Sequence, residues 1–287
     1  MQIRPLGEFK KPSAYYKLMN KERYIIALDM DGTLLNRNEK ILFNTLMYIR
    51  KLSRLGHIIV LSSGRPIRSL MRYYKTLGLN SPIICYNGAY CFHPYKKDFE
   101  EINYSFSKEL VHSLYTDLYP HYIDNMIIEN HEEMIYQNED DTLYRFFPHK
   151  GIKVRYNTVF DNQERMFSII MSFADPKHIQ DIKNEVKKYP DIGVRFWSGL
   201  KPRYCEIYYK GVTKAKCLKH IAEYYHIDKD HIIAIGDSIN DIEMIRYAGI
   251  GIAMKNSCQE LKDEADIITE RDNNHNGLVT ALHKIIK

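Results

Sequence analysis

The chain has 287 residues, a formal net charge of +5, and a composition that is 45% hydrophobic and 27% charged. That length and apolar content exclude a disordered chain or a disulfide-framed mini-domain and leave room for a sizeable core and two domains. Cys85, Cys91, Cys205, Cys217 and Cys258 form an odd set without Cys-x-x-Cys spacing, so they read as buried, reduced thiols of a cytoplasmic protein and not as a zinc site.

Residues 1–23 are polar, carry no apolar stretch long enough for a signal or membrane helix, and stand as an extension ahead of the first element. Tyr24-Ile25-Ile26-Ala27-Leu28 is an apolar run of strand formers. It predicts a buried strand with Asp29 at its end and Asp31 in the loop beyond. In an open α/β sheet that carboxyl edge is where ligands bind. Two carboxylates crowded there raise each other's pKa, a cost that a hard divalent ion such as Mg2+ relieves. The alternative, that they only shape a turn through Asx hydrogen bonds, stays open for Asp29-Met30-Asp31-Gly32 alone. A calcium loop is excluded by spacing, since Gly32 comes too early and Lys40 stands where such a loop needs glutamate.

Asn38 is expected to cap a helix from about Glu39 to Leu55, stopped by Gly56. His57-Ile58-Ile59-Val60-Leu61 then reads as the next buried strand, joined by a right-handed crossover that brings Ser63 beside Asp29. The Ser63 hydroxyl and the N–H groups around it suit a phosphoryl oxygen, although Ser-Gly after a strand is also an ordinary loop.

The stretch 88–203 changes character. Ser107 is expected to cap a helix to about Leu118, followed by strand-like 122–128 and 165–171, a helix from Pro176 to about Tyr189, and a strand from Ile192 to Trp197. This is an α+β pattern with its own sheet, which reads as an inserted cap. The insertion holds 15 Lys and Arg against 18 Asp and Glu, and its acidic stretch 129–141 argues against nucleic acid as a partner.

Thr213 is expected to cap a helix spanning Ala215 to Tyr225, with Lys214 at its start. The helix dipole disfavours a cation there, so Lys214 fits a bound anion better than it fits the helix. His231-Ile232-Ile233-Ala234-Ile235 predicts another buried strand, with Asp237 at its end and Asp241 in the first turn of a helix running to about Tyr247. Capping explains any one of Asp237, Ser238 or Asn240, but not a group of acids at an edge that already carries Asp29 and Asp31.

In that order, Asp29-Met30-Asp31-Gly32-Thr33, Ser63-Gly64-Arg65, Lys214 and Gly236-Asp237-Ser238-Ile239-Asn240-Asp241 resemble the haloacid dehalogenase superfamily of phosphohydrolases, specifically its Cof-like subfamily IIB with a C2-type cap inserted after the third core strand. Pro82 to Ala89 is similar to the family's strand into the cap, Cys205-Glu206-Ile207 to its return, and 248–254 and 265–269 to its last core segments. The resemblance implies an α/β fold: a Rossmann-like, doubly wound parallel-sheet core over 24–87 and 204–287, and an α+β cap over 88–203.

It also implies roles. Asp29 is the expected nucleophile and Asp31 the acid that protonates the leaving alcohol and then activates water. Ser63 and Lys214 hold the transferring phosphoryl group. Mg2+ is expected on Asp29, Asp31, Asp237 and Asp241, with Gly64, Arg65, Asn87 and Asn240 as candidates for substrate contact. The expected function is Mg2+-dependent hydrolysis of a small phosphorylated metabolite through an aspartyl phosphate, by a monomer or small homo-oligomer that engages neither nucleic acid nor membrane. A sugar phosphomutase would use the same two acids, and a non-catalytic binding protein would lack one motif residue.

Overall fold

The computed structural model describes residues 23–147, 149–197, 201 and 203–286; residues 1–22 of the expected N-terminal extension lie outside them. The strands in chain order are β1 (Ile25–Leu28), β2 (Ile58–Ser62), β3 (Ile83–Cys85), β4 (Tyr90–Phe92), β5 (Ile102–Asn103), β6 (Asn125–Glu129), β7 (Glu133–Tyr136), β8 (Lys153–Tyr156), β9 (Ser168–Phe173), β10 (Ile192–Phe196), β11 (Arg203–Tyr209), β12 (Ile232–Gly236), β13 (Ile250–Ala253) and β14 (Ile267–Ile268). The described residues form two compact units. One runs to Pro66 and includes Leu70–Ile102 and the chain from Thr213 on; the other is Ile67–Ser69 with Asn103–Val212.

The first unit is built on an eight-stranded sheet in the order β14-β13-β12-β1-β2-β3-β4-β5. Its central pairs are parallel, with Ile25 opposite both Ile232 and Ile58. Parallel strands need crossover helices on both faces, so their residues form nearly continuous apolar runs instead of alternating. Accordingly every residue of β1, β2 and β12 is buried. On one face, Cys217, Leu218, Ile221 and Ala222 of the helix Lys214–Tyr225 pack with Ile25, Ala27, Ile232 and Ala234. The fold class expected from the sequence is the one observed.

Three local expectations change. Asn38 caps no helix: Glu39 takes a left-handed conformation (φ 54°) and the helix runs Phe43–Arg54, with Leu42 at its N-terminus. The Asn36 side-chain oxygen accepts the N–H groups of Asn38 and Lys40, closing a tight loop where a first helical turn was expected. β4 and β5, at the start of the expected insertion, extend the first sheet, because the 3₁₀ turn Tyr86–Gly88 folds β4 back antiparallel on β3. β11, expected as the return to the core, instead pairs antiparallel with β9 and β10.

The second unit carries a six-stranded sheet, order β10-β11-β9-β6-β7-β8. Alternation puts Met126, Ile128, Ile169 and Met171 on one face, against the helices Lys108–Leu118 and His178–Val186. Ile127, Met134, Tyr136 and Tyr204 pack on the other, with Leu143 of the short helix Asp141–Phe146. Ser107 caps its helix as expected, accepting the Leu110 N–H at 3.2 Å. Cys85, Cys91, Cys205 and Cys217 are free and buried, whereas Cys258 is half-buried. Among the described residues no helix is long and apolar enough to cross a membrane.

Candidate active site

From β1 the chain builds outward to β2 and β3 on one side and returns through β12 to β13 and β14 on the other. Loops leaving β1 and β12 in opposite directions open a crevice at their carboxyl ends, the general location of ligand sites in doubly wound sheets. Asp29 directly follows β1, Ser63 follows β2 and Asp237 follows β12. The Asp29 N–H donates to the Ile235 carbonyl (3.0 Å), which ties the end of β1 to β12.

The side chains meet around Lys214. Thr213 accepts the Lys216 N–H and starts the helix at Lys214, as expected. The fully buried Lys214 Nζ donates to Asp29 Oδ1 and to Asp241 Oδ1, each at 2.7 Å. The other oxygen of Asp241 accepts the N–H groups of Asp237 and Ser238 at 3.1 Å, fixing the turn that carries Asp237. Thr33, in the first motif but given no role there, donates its hydroxyl to Asp237 Oδ1 at 3.3 Å. Asp29, Asp237 and Asp241 thus offer carboxylate oxygens that lie within 4.8 Å of one another.

Two buried acids, Asp29 and Asp241, share one lysine beside the half-buried Asp237, and the pKa values of Asp29 and Asp237 record the imbalance. Burial, then the charge of Asp241, pushes Asp29 well above the ordinary carboxylate range, with Lys214 opposing. Asp237 rises to about 7 for the same first two reasons. For Lys214 burial works downward, but Asp241 and Asp29 outweigh it and raise its pKa. Hard oxygen donors carrying more negative charge than the lysine cancels are the donor set that suits Mg2+.

Asp31 is not in that cluster. Arg65 forks onto its carboxylate, Nε to Oδ2 at 2.7 Å and Nη2 to Oδ1 at 2.6 Å, so the structure gives Arg65 the acid as partner where substrate contact was expected. Ser63 is buried, and its hydroxyl oxygen accepts the Arg65 N–H at 3.1 Å. Asn87 (φ 56°) donates its N–H to the Ser63 carbonyl and accepts from Asn240 Nδ2 at 2.8 Å. Asn240 Oδ1 is buried with no hydrogen-bond partner among the described residues. Gly64 sits against this pair, where an added Cβ would stand 3.0 Å from the Asn87 amide. Sequence reasoning missed Glu39 and Asn256, whose amide donates to the Gly32 carbonyl at 2.8 Å.

A carboxylate cluster with a buried lysine at the switch point of a doubly wound sheet has the layout of a phosphoryl-transfer enzyme. Comparison with known proteins makes the class specific. The model for haloacid dehalogenase-like hydrolases matches residues 26–282. The chain is 30% identical over 253 residues to the 5-amino-6-(5-phospho-D-ribitylamino)uracil phosphatase YitU of Bacillus subtilis, spanning 88% of this chain and 93% of that one. It is 27% identical over 264 residues to a phosphoglycolate phosphatase of Staphylothermus marinus, spanning 91% and 97%. A solved haloacid dehalogenase-like hydrolase from Bacteroides thetaiotaomicron superposes with a TM-score of 0.79 at 25% identity, over 92% of this chain and 100% of that one. The chain belongs to the haloacid dehalogenase-like hydrolases, in their Cof-like branch, and is a phosphatase.

The first motif leaves no room for a side chain at Gly32. Its φ is +76°, and an added Cβ would stand 2.1 Å from Asp237 Oδ2. Gly32→Ala is expected to displace Asp237 and to reduce phosphate release on the order of 100-fold, the usual cost of misplacing a reacting constellation by about 1 Å. Activity assays beside a circular-dichroism melt test this; an active, native-like variant would show that the loop yields freely.

Proposed function

We propose that this phosphatase hydrolyses monoesters of small phosphorylated metabolites through an aspartyl phosphate on Asp29, with Mg2+ held by Asp29, Asp237 and Asp241 and the Asp31 backbone carbonyl. The observation that carries this reading is the cluster of those three carboxylates, within 4.8 Å of one another, two of which, Asp29 and Asp241, accept from the buried Lys214. The relatives named above act on a phosphorylated ribitylaminouracil and on phosphoglycolate, which supports a small metabolite as substrate.

In the first step an Asp29 oxygen attacks phosphorus, the ester P–O bond breaks, and the Asp31 carboxyl gives its proton to the departing alkoxide. In the second, water attacks the phosphorus, Asp31 takes the water's proton, and the bond from phosphorus to Asp29 breaks to release phosphate. Dividing the reaction replaces one hard displacement with two easier ones. Lys214 neutralises charge on the transferring group, and the Ser63 hydroxyl and nearby N–H groups hold its oxygens. Asn240 Oδ1 is available to a hydroxyl or water donor of the bound substrate. The ion, when bound, screens the carboxylates from the incoming phosphate and polarises its oxygens.

The test is phosphate release from sugar phosphates, nucleotides, pyridoxal phosphate and an aryl phosphate, with Mg2+ and after chelation. Release that stops on chelation and returns with Mg2+ is expected; release unaffected by chelation would remove the ion from the reaction.

The raised Asp237 pKa gives a second expectation. Its folded value of about 7 exceeds the ordinary aspartate value of 3.8, so the folded chain binds the extra proton between those pH values. The metal-free protein therefore loses stability as pH rises through that window. Mg2+ offsets the repulsion once the proton has gone, and its binding competes with protons. Thermal melts should show a larger Mg2+-induced rise at pH 8 than at pH 5.5, with the difference reduced in Asp237→Asn. An equal rise at both pH values would place the ion elsewhere.

A further inference from the structure

The Arg65 nitrogen that donates to Asp31 Oδ1 also donates to Glu39 Oε1, at 2.9 Å. The Arg65 side chain is 16% exposed, against 55% for Asp31 and 58% for Glu39, so an enclosed guanidinium is gripped by carboxylates from two directions. Because guanidinium and carboxylate pair in one plane, whatever sets the plane of Arg65 also sets the orientation of the Asp31 carboxylate.

Glu39 is itself held in an unfavourable conformation. Its φ of 54° is left-handed, a region that a side chain with a Cβ disfavours. The loop is braced from within, since the Glu39 N–H donates to the Asn36 carbonyl (2.9 Å) and the Asn36 N–H to the Lys40 carbonyl (3.0 Å). From outside, the hydroxyl of the buried Tyr73 donates to the Glu39 carbonyl at 2.8 Å. Arg72 lies over the Tyr73 ring at 4.4 Å and meets the far oxygen of Glu39 at 3.3 Å. An exposed ion pair alone contributes too little to stability to explain such bracing. Strain held by its surroundings is characteristic of functional positions.

We propose that Glu39 is a positioning residue for the hydrolysis: by gripping Arg65 it aims the Asp31 carboxylate at the leaving oxygen. The inference rests on the role given to Asp31 above and adds a residue that acts through it. Glu39 touches neither phosphate nor metal ligand, so its loss should lower kcat and leave KM alone. Glu39→Gln retains an oxygen that accepts from Arg65 and should preserve most of the function.

The experiment compares Glu39→Ala and Glu39→Gln in the full chain on a sugar phosphate that the native protein turns over. It repeats the comparison on 2,4-dinitrophenyl phosphate, whose leaving group needs no proton, in native and Asp31→Asn backgrounds. Glu39→Ala should lower kcat on the sugar phosphate about tenfold with KM within about twofold, and Glu39→Gln should recover most of the loss. In the Asp31→Asn background, Glu39→Ala should cause no further loss in single-turnover release of dinitrophenolate, because the residue it acts through is gone. A loss of the same size in that background, or one confined to KM, would overturn the inference. Full sugar-phosphate activity in Asp31→Asn itself would instead overturn the role of Asp31, and the two failures are thereby distinguishable.

Discussion

Asp29→Asn is expected to lower phosphate release from every substrate by at least about 10³-fold, with the melting temperature unchanged or raised. The two readouts move apart for one physical reason. An amide oxygen still accepts from Lys214 Nζ, so the 2.7 Å hydrogen bond survives. It cannot form the acyl phosphate, and so the first step has no nucleophile. Meanwhile one of the three crowded carboxylates loses its charge, and Asp29 is the one that burial and Asp241 already push toward neutrality. A stable, inactive variant is therefore expected, and assays on the sugar phosphate with urea melts alongside will decide. If it kept most of the native activity, another group would be the nucleophile.

Lys214→Met should act on folding as well as on catalysis. The lysine is wholly enclosed and its ammonium bridges Asp29 and Asp241. Removing one member of a buried charge network leaves its partners desolvated and unpaired, at a cost of about 3–5 kcal/mol. Here two carboxylates would be left facing each other, which places the loss at the upper end of that range. The companion variant, Lys214→Met with Asp241→Asn, removes an opposite charge at the same time and should recover part of the stability but none of the activity. Urea denaturation in chelator and in Mg2+ checks both statements. A single variant as stable as the native protein would show that water or a cation already compensates the acids.

The central parallel strands are the most legible elements. β1, β2 and β12 announce themselves as apolar runs because strands buried on both faces of a parallel sheet take mostly apolar side chains. The acids at their ends were legible for the complementary reason, since they begin where those runs stop, and the structure brings Asp29, Asp237, Asp241 and Lys214 together. What escaped depends on partners far along the chain. β7 lies inside the acidic stretch 129–141, where the sequence predicts no strand, and its Glu133 is buried because Arg155 of the neighbouring β8 pairs with it. The expected strand at 165–171 begins only at Ser168, since Arg165 is drawn to the hydroxyl and carbonyl of Ser105. No local pattern shows that Arg65 reaches Asp31, because a long flexible cation has many candidate partners and only the folded loops choose among them.

β1 lies between β2, its near neighbour in the chain, and β12, whose Ile232 stands opposite Ile25 across more than two hundred residues of sequence. During synthesis the amino end emerges first, and pairings of such long range form slowly. Every residue of the second unit's main cluster, from Phe106 to Ile207, leaves the ribosome before β12 does. For that interval β1 is an edge strand without its second neighbour, apolar along its whole length and open to pairing with other chains. The nascent chain's exposure to aggregation thus falls on the strand that leads into Asp29, and slowing translation before β12 has emerged from the ribosome should increase misassembly more than slowing it afterwards.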